Sequence, residues 1–186
     1  TQTTYVAVGG RSGPPNSAQT TTMEYDGTNW STSGAYPAAL RNIYHSGVQT
    51  ASIATGGETD PGSTVTSSHT YDGSSWTSSA TSPISRRGGG RAGTQTAALF
   101  FGGGPGNPAG TTTLTFDGTT FAVDPASLTT PMGSMSSSTN GTSTAAWACS
   151  PAQVMEEYNK STTVITAAAW AAGGSLSTSR RSMHGG

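Results

Sequence analysis

A short turn followed by an apolar strand recurs four times at nearly constant spacing in this chain of 186 residues. The turns are Thr1-Gln2-Thr3, Val48-Gln49-Thr50, Thr94-Gln95-Thr96 and Thr142-Ser143-Thr144, with central residues 47, 46 and 48 positions apart. Such spacing marks repeated supersecondary units, each too small to bury its own apolar face. The units run over about 1–47, 48–93, 94–141 and 142–186, within one domain spanning 1–186. The strongest copy is Ala97-Ala98-Leu99-Phe100-Phe101, and its counterparts are Thr4-Tyr5-Val6-Ala7-Val8, Ala51-Ser52-Ile53-Ala54-Thr55 and Ala145-Ala146-Trp147-Ala148-Cys149. Alternation at period two predicts strands. One face carries Val6, Val8, Ile53, Leu99, Phe101 and Trp147, the other mostly Ala and Ser. Two fairly apolar faces predict that each sheet lies between two others. Gly9-Gly10, Gly56-Gly57 and Gly102-Gly103 end the first three strands. The fourth has Ser150-Pro151, whose backbone is less free, so that unit is expected to pack differently.

A second signal lies later in each unit: Tyr25-Asp26-Gly27-Thr28-Asn29-Trp30, Tyr71-Asp72-Gly73-Ser74-Ser75-Trp76 and Phe116-Asp117-Gly118-Thr119-Thr120-Phe121. Asp-Gly between strand-like runs predicts a hairpin, because glycine accepts positive φ and Asp bonds its own backbone. The spacing sets the two aromatics opposite each other. The fourth copy, 158–163, reads Tyr-Asn-Lys-Ser-Thr-Thr and would place Thr163 opposite Tyr158. Each unit ends in Arg at Leu40-Arg41, Arg86-Arg87 and Arg180-Arg181, with Met135 at this place in the third. Each unit thus holds about four short strands, and residues 152–158 are a weak candidate for one helical turn.

Charged residues make up 9% of the chain, and the formal net charge is -1. Disorder at low apolar content normally comes with high net charge, so Ser, Thr and Gly with periodic aromatics favour an all-β protein. A near-neutral chain lacks the basic face that phosphates require, which argues against nucleic acid. No run reaches the length of a membrane-spanning helix, and no membrane insertion is expected. The single cysteine, Cys149, has no partner for an internal disulfide. The chain begins at Thr1 in mid-repeat, as expected of a processed chain or an excerpt.

The order of Arg, polar strand, apolar strand, Gly-Gly, Tyr, then Trp five residues on resembles the kelch repeat. The matching residues are Gly9-Gly10, Gly56-Gly57, Gly102-Gly103, Tyr25, Trp30, Tyr71, Trp76, Arg41 and Arg87. Phe116 and Phe121 replace Tyr and Trp in the third unit, and the fourth keeps only Tyr158 and Arg181. The resemblance implies a β-propeller of four blades of about four antiparallel strands each. The termini could close it, with 181–186 completing the first blade; alternatively the units belong to a larger propeller. The wording YDGSSW, AGTQTAALFFGG and GGSLSTSRR is similar to Ser/Thr/Gly-rich kelch-like repeats of tailed-phage virion proteins, especially of marine and cyanobacterial phages. That likeness implies a non-enzymatic structural or adhesion module in a tail, fibre or capsid surface, located in the virion. Its partners would be other virion proteins, with a host-surface glycan or protein as a further partner. The alternative is a lectin-like receptor-binding propeller.

No catalytic, metal-binding or cofactor-binding residue is assigned, and no partner-binding residue is specified. Asp26, Asp72 and Asp117 are expected to serve their turns rather than a shared ion. Arg41, Arg87 and Arg181 are expected to donate to carbonyls of a neighbouring blade rather than line an anion channel. His45, His69 and His184 share no repeat position, so a copper enzyme of the galactose-oxidase type is not supported. Cys149 reads as a buried small hydrophobe, and Glu156-Glu157 as a solvated strand edge. The loops 11–19, 58–66 and 105–110 vary most and are the expected contact surfaces.

Overall fold

A computed structural model describes residues 4–14, 16–104, 110–138, 140–160 and the backbone of 169–172. The terminal pairing expected of 181–186 lies outside the described residues, as do Arg180, Arg181, His184 and 105–109 of the third loop. The described residues form an all-β fold of four antiparallel sheets, without a helix among them. The first sheet holds β1 (Tyr5–Val8), β2 (Thr22–Tyr25) and β3 (Trp30–Ser33). The second holds β4 (Tyr44–Val48), β5 (Ala51–Thr55), β6 (Ser68–Tyr71) and β7 (Trp76–Ser78). The third holds β8 (Gly90–Thr94), β9 (Ala97–Phe101), β10 (Thr113–Phe116) and β11 (Phe121–Asp124). The fourth holds β12 (Ser136–Ser137), β13 (Ala145–Cys149), β14 (Met155–Asn159) and β15 (Ala169–Ala172). Strand order within every sheet follows the chain. The first strands β4 and β8 lie side by side, and β8 also meets β12.

Bulky and small faces interlock between consecutive sheets. Leu99 and Phe101 of β9 pack against Ala146 and Ala148 of β13, together with Leu128, Met132 and Tyr158. The opposite face of β9, Ala98 and Phe100, packs with Ile53, Tyr44, Leu114 and Phe116. Between the first two sheets Ala54 meets Tyr36, Leu40 and Val8. Full burial of Leu99, Phe100 and Phe101 contributes about 1.5–3 kcal/mol each. This is the sandwiched arrangement expected from strands with two apolar faces.

The hairpins form in the expected register. Tyr25 pairs with Trp30, Tyr71 with Trp76 and Phe116 with Phe121. Ring centroids in these pairs lie 5.3, 4.8 and 4.6 Å apart. In the fourth sheet the register departs from expectation. Tyr158 is paired with Trp170, not Thr163. The weak helical candidate at 152–158 is also overturned, because Met155–Asn159 is strand β14, paired on both sides. A third correction concerns the unit ends. The Gly10, Gly57 and Gly103 amides donate to the carbonyls of Leu40, Arg86 and Met132 at 2.9, 2.8 and 2.7 Å. Met132-Gly133, not Met135, therefore stands where the other units have Leu40-Arg41 and Arg86-Arg87.

The fourth unit does differ where its glycines are replaced. Its Ser150 amide donates to Val154 at 2.9 Å, closing a tight turn before β14. In the other units the equivalent bonds reach much further along the chain, from Gly9 to Thr21, Gly56 to Ser67 and Gly102 to Thr112. The fourth sheet thus lacks the long loop of the other three.

Candidate functional site

The loops after the double glycines are held by charge as well as by backbone. Gly56 and Gly57 adopt φ of 65° and 98°, which an L side chain rarely takes. They deliver Glu58 into a short antiparallel bridge with Arg41. Glu58 is 1% exposed. Its Oε1 accepts from Arg41 Nε at 2.6 Å and from Asn42 Nδ2 at 2.9 Å, and its Oε2 accepts from Arg87 Nη1 at 2.5 Å. Burial would raise the Glu58 carboxyl, but the bonds from Arg41 and Arg87 hold it below its ordinary value. The same bond keeps Arg41 above its ordinary value despite desolvation. Asp60 adds a rim: it pairs with Arg41 and, at 3.8 Å, with Arg11, and it accepts from the Ala18 amide. Loop 58–66 is therefore tied to loop 11–19 by Asp60, and to the second and third sheets by Glu58. Beside Arg87 lies a polar pocket of ≈ 170 Å³ lined by Asn42, Gly88, Gly104, Gly133 and Ser134.

This placement changes the reading of the arginines. Among the described residues Arg41 and Arg87 donate no side-chain bond to a carbonyl of a neighbouring sheet; both converge on Glu58. Arg86 takes that role instead. It is 1% exposed, and its Nη1 reaches the Thr112 and Gly102 carbonyls at 3.1 and 3.3 Å. Its guanidinium sits 5.9 Å from the Tyr44 ring centroid, and burial lowers its pKa. Its Nε and Nη2 are buried without hydrogen-bond partners among the described residues.

The turn aspartates behave as expected of turn residues. Asp72 Oδ1 accepts from the Ser74 and Ser75 amides, both at 2.8 Å, which holds its carboxyl down to about 2. Asp26 and Asp117 accept the equivalent amide pairs. His69 bonds the Tyr36 hydroxyl at 3.0 Å between the first and second sheets. Cys149 is buried, which raises its thiol pKa and keeps it protonated. Among the described residues no group of three or more His, Cys, Asp or Glu gathers as a metal site.

One residue departs from what the sequence led us to expect. Glu156 is fully buried rather than solvated. Its carboxylate accepts from the Thr129 amide and hydroxyl and the Thr130 amide at 2.7, 2.8 and 3.0 Å. Its period-two relation to Tyr158 was the available signal. Trp30 is 51% exposed, with Tyr25 and Tyr5 beside it. Its counterpart Trp76 instead packs on Tyr36, and its indole N–H donates to Thr22 Oγ1 at 2.9 Å.

No protein-family model matches the chain, and no curated protein matches it. Among solved structures, YjhT is similar with a TM-score of 0.68 at 13% identity, over 85% of this chain. The chain spans 60% of the length of that neighbour. At this identity the likeness is one of fold.

Proposed function

We propose that this chain is a non-enzymatic structural or adhesion module of a phage particle, built as a kelch-like propeller that presents variable loops on a rigid frame. The observation that carries the reading is the treatment of loops 11–19 and 58–66. They differ in sequence, yet are locked to the sheets by Glu58 and Asp60. Several groups able to do chemistry are engaged in structure: Asp26, Asp72 and Asp117 in turns, Glu58 and Glu156 in buried bonds, and Cys149 in the core. The virion setting rests on the resemblance of YDGSSW and AGTQTAALFFGG to phage repeats. Mass spectrometry of purified particles tests it. Fixed stoichiometry with known virion proteins is the expected result, and absence from the particles overturns it.

The finer architecture we infer is a closed ring of four blades. Among the described residues the first sheet holds three strands where the others hold four, and β1 corresponds to the second strand of each. Residues 181–186 would supply the missing first strand. Removing them should abolish protection of those amides of Tyr5–Val8 that do not bond β2. Unchanged protection would favour a larger ring.

One observation favours the lectin-like reading as a second. The exposed Trp30, flanked by Tyr25 and Tyr5, forms an aromatic platform of the type that stacks on apolar faces of ligands. Glycan-array binding abolished by Trp30→Ala would support it, and an array signal unchanged in that variant would remove it.

A further inference from the structure

A second polar site lies away from the loop cluster, where the first strands of the sheets meet. A cavity of ≈ 130 Å³ is lined by Tyr5 of β1, His45 and Ser46 of β4, Arg91 of β8 and Asn140. One ordered water needs only about 10–15 Å³ of such space, so the cavity has room for a small polyatomic ligand. Its polar lining is weighted towards donors. Its lining residues carry a guanidinium (Arg91), an amide (Asn140), a hydroxyl (Tyr5) and an imidazole (His45), and no Asp or Glu is among the described residues that line it.

Among the described residues the charge at this cavity has no acidic partner. Unlike Arg41 and Arg87, Arg91 meets no carboxylate among the described residues; only its backbone is held, by Ser137 Oγ. His45 is 9% exposed, and its Nε2 is buried without a hydrogen-bond partner among the described residues. A buried polar nitrogen left unpaired costs about 1–3 kcal/mol, and native structures rarely leave one without a reason. His45 is neutral: burial first, and then the Arg91 charge, push its pKa down to about 3. The ring therefore adds no second cation beside the guanidinium.

We propose that this cavity binds a small oxyanion, with Arg91 as the charge partner and His45, Tyr5 and Asn140 as neutral hydrogen-bonding groups around it. A guanidinium meets a carboxylate or phosphate oxygen pair through two parallel N–H bonds. Neutral donors complete the shell without adding repulsion between cations. The proposal is independent of the virion reading, since it concerns residues that take no part in loops 11–19 or 58–66.

Two probes separate the anion shapes: sodium acetate for a planar carboxylate and inorganic phosphate for a tetrahedral ion. Each is titrated into the full chain while the histidine ring resonances are followed by NMR. The expected result is a saturable shift of the His45 ring with at least one probe. His69, bonded to Tyr36 between two sheets, should not move and serves as the internal control. Arg91→Gln should weaken binding at least tenfold, and Asn140→Ala by a smaller factor, with circular dichroism unchanged. If Arg91→Gln fails to fold, the His45 titration in the unaltered protein still decides. The proposal is overturned if neither anion shifts His45 saturably, if both histidines drift together, or if folded Arg91→Gln binds as tightly as the parent.

Discussion

Glu58 is the residue on which loop position most depends. One buried carboxylate accepts from two arginines and an asparagine drawn from different units. Replacing it by Gln keeps the shape and removes the charge, leaving Arg41 and Arg87 facing a neutral amide. The expected loss is about 1.5–3 kcal/mol, the range for hydrogen bonds to charged groups, read by chemical denaturation at pH 7. The pH dependence has a definite sign. The folded Glu58 carboxyl is held below its ordinary value, so its contribution is fully present above the unfolded value of about 4.3. That contribution fades as pH falls through the folded value. The stability gap between parent and Glu58→Gln should therefore narrow on acidification below about pH 4.5. A gap that is absent at pH 7, or constant down to pH 3, would remove Glu58 from this role.

At the scale of the element, the double glycines do two different jobs, and substitution should separate them. Gly56 has φ of 65°, and an added Cβ would stand 2.6 Å from the Arg86 carbonyl oxygen. Gly10 has φ of 107° with nothing within 4 Å of such a Cβ. Gly10→Ala should cost only backbone strain, about 1–3 kcal/mol. Gly56→Ala adds a collision with main chain, and we expect its Tm to fall lower than that of Gly10→Ala by about 4–8 °C, equivalent to roughly 2 kcal/mol in a domain of this size. Equal melting temperatures would mean that the loop yields at no cost. The strands and hairpins were legible because their signals are local. Period-two alternation at Ala97–Phe101 and Asp-Gly between aromatics each determine a register without knowledge of the rest of the chain. The fourth hairpin was misread because it has no Asp-Gly to anchor it, so the partner of Tyr158 could not be counted from spacing. The loop cluster was illegible for another reason. The counterparts of Glu58 in the other units are Arg11 and Gly104, so no repeat pattern marks it. Its two arginines lie 17 and 29 residues away. The buried Arg86 was hidden likewise, since its counterparts Leu40 and Met132 are apolar.

At the scale of the whole molecule, the three seams between sheets formed by the described residues are unequal, and stability should follow that order. The third sheet contributes to two apolar seams, through Leu99 and Phe101 on one side and Ala98, Phe100, Leu114 and Phe116 on the other. The seam between the first two sheets is more polar. Its core is Tyr36, Leu40 and Ala54. Much of the rest is side-chain hydrogen bonding: Tyr71 to Glu24 at 2.7 Å, Trp76 to Thr22 at 2.9 Å, and His69 to Tyr36 at 3.0 Å. Net hydrogen bonds contribute about 0.5–1.5 kcal/mol each, less than a fully buried large apolar side chain. In an array whose units touch mainly their neighbours, the unit with the weakest seam opens first. Amides of β1 and β2 should therefore exchange at least tenfold faster than those of β9, a difference of about 1.4 kcal/mol in opening free energy. Leu99→Ala tests the same ordering from the other side. It leaves a cavity in the seam with the fourth sheet and should cost about 2–5 kcal/mol. Because β9 is shared by two seams, that loss should appear in the amides of the second, third and fourth sheets together. If it is confined to β13 and β14, or if β1 is as protected as β9, the sheets are not coupled in the order that their packing implies.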